Sequence, residues 1–135
     1  MKKFNATITD RNDNTENVTL CVNHYGKFAD ITVKFLDREI TVPVVYRQAL
    51  LTLLDCVNNE DYSTKDTLSF INPNSTKSSH SIQVISHYFP SLGLILLFEE
   101  RWSEGWEDFG RSFDIVLEKE VANSFLQYLI DGFTK

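Results

Sequence analysis

Residues 94–98 read Leu-Ile-Leu-Leu-Phe, apolar at every position, while residues 109–117 alternate apolar and polar side chains. A strand that buries one face alternates, and a strand apolar on both faces needs cover on both. The first run is therefore expected to be a central strand and the second its neighbour. Between them lie five carboxylates (Glu99, Glu100, Glu104, Glu107 and Asp108), two tryptophans (Trp102 and Trp106), Gly105 and a single cation, Arg101. Two strands flanking a glycine-bearing turn predict a β-hairpin, here with an apolar base and an acidic, aromatic tip. Each side chain buried at that base contributes about 1.5–3 kcal/mol, so the base belongs to the core whatever the tip does.

The rest of the chain supports this hairpin. Phe4, Ala6 and Ile8 alternate with polar residues, as do Val18, Leu20 and Val22, then Ala29, Ile31, Val33 and Phe35, then Ile40 and Val42. That spacing predicts four strands. The Asn/Asp-rich loop at 10–17, Gly26-Lys27 and Asp37-Arg38 supply the turns. Pro43 lacks an N–H for a central ladder and is expected to end the sheet pattern. From Val44 onward Tyr46, Ala49, Leu50, Leu53, Leu54 and Val57 recur at three- and four-residue spacing, which predicts a helix stopped by Asn58-Asn59.

The second half repeats the plan. A strand is expected at Leu68 and Phe70, a polar loop at 72–79, a strand bearing Ile82, Val84 and Ile85, then the hairpin. A closing helix spans about 118–130 with Val121, Ala122, Phe125, Tyr128 and Leu129 on its face, and Gly132 suits its C-terminal cap. The expected class is α+β, ββββα-ββββα, in one domain over 1–135 with pseudo-repeat halves of about 1–60 and 61–135.

A chain of 135 residues with 42% hydrophobic content can build one packed core. The first ten residues lack the apolar segment of a secretion signal, and no apolar run is long enough to span a bilayer, so a cytoplasmic location is expected. Two cysteines, Cys21 and Cys56, are too few for a disulfide scaffold and are expected to be reduced. Residues 1–60 carry seven Lys/Arg against eight Asp/Glu, and residues 61–135 six against eleven, for excesses of −1 and −5. The negative charge gathers at the hairpin tip, which favours a basic protein partner and disfavours nucleic acid.

Catalytic and metal chemistry find little support. His24, His80 and His87 are scattered, and neither cysteine has ligand neighbours at zinc spacing. Asp10, Asn12 and Asn14 begin like a calcium loop, but Thr15 replaces the glycine and Cys21 the closing glutamate. There is no GxSxG and no phosphate-cradling glycine loop. Paired carboxylates beside tryptophans superficially suit a small carbohydrate-active enzyme, yet nothing obvious raises one carboxyl above the other. No enzyme activity, cofactor or metal is expected. A monomer and a dimer are both compatible with the pattern.

What remains is the tip. Each tryptophan alone would fold back onto the core. Together, ringed by Glu99, Glu100, Glu104, Glu107 and Asp108, Trp102 and Trp106 form the pattern of an interface anchor with a charged rim.

The order ββββα-ββββα resembles the Whirly fold and the related Pur-type domains, which bind single-stranded nucleic acid through two four-stranded sheets. The lysine-glycine-lysine motif of the Whirly family has no match here, and an acidic surface opposes phosphate. In size, acidity and lack of motifs the chain also resembles the immunity proteins of bacterial toxin–immunity pairs, including contact-dependent inhibition systems. That resemblance implies an inhibitor of a basic, nuclease-type toxin, with the tip carboxylates mimicking phosphates and the tryptophans as anchors. Single-stranded nucleic-acid binding is the alternative that the Whirly-like order implies.

Overall fold

The computed structural model describes residues 2–10, 12–25, 29–35, 38–44, 47–61 and 80–132. Strands β1 (Lys2–Thr9), β2 (Thr15–His24), β3 (Ala29–Phe35) and β4 (Arg38–Val44) are followed by helix α1 (Arg47–Asn59). Strands β5 (His80–Phe89), β6 (Gly93–Glu104) and β7 (Glu107–Leu117) precede helix α2 (Lys119–Gly132). The class is α+β. All seven strands form one antiparallel sheet in the order β4-β3-β2-β1-β7-β6-β5. The two meanders are thus joined edge to edge through β1 and β7, over only three residue pairs, from Thr7↔Val116 to Thr9↔Asp114.

One face of the sheet, here called inner, carries the alternating apolar positions and both helices. Phe4, Leu20, Ile31 and Val42 from the first meander and Val84, Leu96, Phe98 and Ile115 from the second are buried there. Leu50, Leu53 and Val57 of α1 and Phe125, Leu126 and Leu129 of α2 complete the core. Phe4 meets Phe125 edge to face at 5.4 Å. The helices are tied to each other by Asn123 Nδ2, which donates to Asn58 Oδ1 at 2.6 Å, and by an ion pair between Lys119 and Glu60. That pair raises the lysine pKa and lowers the carboxyl pKa.

Several expectations are corrected. Pro43 does not end the sheet: β4 continues through Pro43, paired with Asp30, to Val44. A proline is tolerated there because β4 is an edge strand. The first helix therefore begins at Arg47. It runs through Asn58 and Asn59 and closes when Glu60 takes φ 55° and the Asp61 N–H donates to the Cys56 carbonyl at 3.0 Å. Gly132 is not a cap beyond α2 but its buried last residue. A Cβ there would run into the His24 ring, which packs on Tyr128 at 4.5 Å. Leu94, Leu96 and Phe98 are fully buried on the inner face and Ile95 and Leu97 half-buried on the outer face, where no helix or strand among the described residues supplies the second cover expected for 94–98. The features expected at Gly26, Lys27, Asp37, Tyr46, Leu68 and Phe70 and at 72–79, and the Phe35 side chain, lie outside the described residues.

Among the described residues no helix is long and apolar enough to cross a membrane.

Candidate functional site: the projecting end of the β6–β7 hairpin

Strands β6 and β7 pair without interruption from Leu94↔Leu117 to Glu104↔Glu107. The acidic segment is therefore not a broad loop. It is strand almost throughout, and only Gly105 and Trp106 form the turn. Gly105 takes φ 63°, the positive value that a two-residue hairpin of the II′ kind requires at its first central position. On one side β5 reaches only to the pair His80↔Trp102, and on the other β1 reaches only to Asp114. Past the pair Trp102↔Phe109 the hairpin has no partner strand among the described residues and projects from the sheet, by about 7 Å at the rise of an antiparallel strand.

Alternation along the strands sorts the seven expected site residues onto different faces. The inner face carries a ladder of cross-strand pairs. Phe98 stacks on Phe113 at 5.0 Å with an interplanar angle of 11°. Next, Glu100 is buried at 5% exposure and takes Arg111 Nε at 3.3 Å. The Arg111 guanidinium lies over the Trp102 ring at 4.9 Å, and Trp102 stacks on Phe109 at 5.7 Å and 17°. The last rung is Glu104 opposite Glu107. Glu100 and Trp102 are thus absorbed into the hairpin's own packing.

The outer face carries Glu99 opposite Ser112, Arg101 opposite Gly110 and Ser103 opposite Asp108. Ser103 Oγ donates to Asp108 Oδ1 at 2.7 Å. Glu99 is half-buried. So Glu99 and Asp108 point away from the face that carries the ladder.

Three of the seven residues come together at the apex. Glu104 and Glu107 are direct cross-strand neighbours and both are exposed, while Trp106 between them is fully exposed at 103%. Like charges directly opposite one another oppose strand pairing, and an indole in water exposes a large apolar area. Both features cost folding free energy, and neither is offset by a neighbour in the ladder. Two residues that sequence reasoning passed over belong beside them: Phe109, 37% exposed, and Arg111. Their signal was available in parity, since 102, 104, 107, 109 and 111 share a face once the turn is fixed at 105–106.

The arrangement offers a projecting anion with an aromatic anchor. Among the described residues no group of three or more His, Cys, Asp or Glu is placed to hold a metal ion. The Asp10 carboxylate of the calcium-like loop is occupied by the chain itself. It accepts from the N–H groups of Asn12 and Asn14 at 2.9 and 3.0 Å, and the Asn14 bond chiefly lowers its pKa. Two hollows of about 450 and 390 Å³ lie elsewhere, on the first meander. The larger touches Lys3, Asn23, Thr32 and Lys34, the smaller Asn5 and Ala6, and both touch Asn17 and Thr19.

No protein-family model matches this chain, no curated protein matches it, and no solved structure matches it.

Proposed function

We propose that this chain is a non-enzymatic protein-binding domain whose hairpin tip blocks a basic partner, in the manner of an immunity protein acting on a nuclease-type toxin in the cytoplasm. The observation that carries this reading is the apex, where a fully exposed Trp106 stands between two opposed carboxylates on a projecting ribbon. Carboxylates on a protruding element enter a basic cleft where phosphates would lie, and their field raises the association rate. Trp106 then buries its indole in the partner, the role most often taken by tryptophan at the centre of an interface. The Glu100–Arg111–Trp102–Phe109 ladder stiffens the ribbon, so less side-chain freedom is lost on binding. Glu99 and Asp108, on the other face, act through charge at longer range.

The test is calorimetric titration against the product of the reading frame immediately upstream, which this reading expects to end in a basic, toxin-like domain. Glu104→Lys with Glu107→Lys is expected to weaken binding while leaving the thermal midpoint nearly unchanged. Unaltered affinity in low salt would sink the reading.

A second reading, single-stranded nucleic-acid binding on a Whirly-like ββββα-ββββα frame, is supported by one observation. Lys3 and Lys34 flank the 450 Å³ hollow on the opposite half of the sheet. Lys34 is held at 3.7 Å by Glu39, which weakens this reading. Fluorescence anisotropy with a labelled single strand at low salt decides it, and absence of binding disposes of it.

A further inference from the structure

The outer face of the sheet follows two different rules. On β1 to β4 it is polar, presenting Lys3, Asn5, Asn17, Thr19, Lys34 and Thr41. That is what a sheet face in water should present. On β5 to β7 the same face presents Ile85, Ile95, Leu97 and Val116 in register: Ile85 opposite Leu97, and Ile95 opposite Val116. These four are half-buried. Leu92, 60% exposed, sits in the turn that joins β5 to β6. The helices pack on the inner face, so among the described residues no helix or strand covers this stripe. A polar residue at any of these positions would suit the sheet as well, so the apolar choice points to a covering layer.

We propose that the stripe is the apolar part of a contact between two copies of this chain, packed outer face to outer face about a two-fold axis that runs across the strands. The charge pattern favours a second copy over the basic partner of the tip. The stripe is bordered by both signs, Glu99 and Asp114 against Arg101, and a two-fold contact brings the two signs of one patch against each other. The tip carries one sign at its apex.

Size agrees. Seven strands about 4.8 Å apart, each contributing about seven residues at 3.3 Å, give a face of about 800 Å² in plan, the area of one side of a standard interface. The apolar stripe then forms one side of the contact and the polar face of β1 to β4 the other. Two such twisted sheets stack about 10 Å apart with their strands within about 30° of each other. The ribbon projects past the sheet, so this contact leaves Trp106, Glu104 and Glu107 uncovered. The inference rests on a different surface from the tip and fails or survives separately from it.

The experiment is sedimentation equilibrium of the full chain from about 1 μM to about 0.5 mM, a range that spans micromolar dissociation constants. The mass is expected to rise from 15.6 kDa towards twice that value. It should do so more readily in high salt, because an apolar contact between chains of net charge −6 gains when repulsion is screened. Leu97→Thr with Val116→Thr keeps β-compatible residues outside the core. It is expected to raise the dissociation constant at least about tenfold, or 1.4 kcal/mol. If that pair fails to fold by near-ultraviolet circular dichroism, Ile95→Thr alone serves, with weakening expected in the same direction. A wild-type mass of one chain throughout the range overturns the proposal. So does a folded variant that associates as tightly as the wild type.

Discussion

Phe98 and Phe113 face each other across β6 and β7, and four residues further along Trp102 and Phe109 do the same. Both pairs are stacked, at 5.0 and 5.7 Å, on the same face of the same two strands. The first is core. The second is not, with Trp102 half-buried and Phe109 37% exposed. What separates them is the surrounding structure: α2 packs on β6, whereas Trp102 sits at the last described pair with β5 and Phe109 lies past the end of the β1 pairing. Side-chain type does not decide whether an aromatic pair stabilises the fold or remains available for a partner. Position relative to the covering helix does.

That difference should be measurable along the hairpin, and the largest effect is expected at its base. Phe98→Ala removes a fully buried ring and should cost about 3–5 kcal/mol in urea unfolding. Trp106→Ala, at the fully exposed apex, should shift stability by no more than about 0.5 kcal/mol. Comparable losses at the two sites would erase the distinction between base and tip.

The two positive-φ glycines repeat the contrast. Gly93, at φ 116°, lies against the Leu117 carbonyl, where a Cβ would collide with backbone. Gly105, at φ 63°, has open space around it, so a Cβ there would meet no neighbour and carry only the strain of the positive φ. Gly93→Ala is expected to cost about 2–4 kcal/mol through strain and displaced backbone. Gly105→Asn should cost less, about 1 kcal/mol, from the strain of a side chain at positive φ alone. Differential scanning calorimetry of the two variants checks the order.

Between base and tip, Arg111→Ala removes the cation beside the buried Glu100 carboxylate and the plane over Trp102. A loss of about 1–2 kcal/mol is expected, since Arg111 is itself half-exposed and water can replace part of its role. No loss would mean that the ladder does not stiffen the ribbon.

The smallest effect is on the outer face. Burial raises the Asp114 carboxyl above its ordinary range, with His87 opposing the shift. A raised carboxyl disfavours the ionised form in the folded chain, so it costs stability at neutral pH. That cost disappears as pH falls below the unfolded value of about 3.9. Asp114→Asn should therefore stabilise by a few tenths of a kcal/mol at neutral pH and by nothing near pH 3, after discounting for solvent screening. Thermal melts at the two pH values check the sign.

Much of this arrangement was legible in residue spacing. Phe4, Ala6 and Ile8, or Leu50, Leu53 and Val57, announce their buried faces by period alone, because each element packs against one layer. Gly105 announces the turn. The apex was legible only in part. Glu99 and Glu100 are adjacent in sequence and so point to opposite faces, but the partner that buries Glu100 sits eleven residues away at Arg111, where only the register places it. Pro43 misled because a proline ends a central strand and not an edge strand, and edge status follows from the whole strand order. The run 94–98 asks for two covers by composition, and the described elements supply the inner one.

The most direct test of the tip as a binding surface is a titration of the wild type and of Glu104→Lys with Glu107→Lys, at low ionic strength, against the product of the upstream reading frame, expected to end in a basic, toxin-like domain. The expected result is a loss of affinity of about 100-fold, or about 2.7 kcal/mol, with the melting temperature of the variant within about 1 °C of the wild type. Equal affinity for both proteins would contradict it.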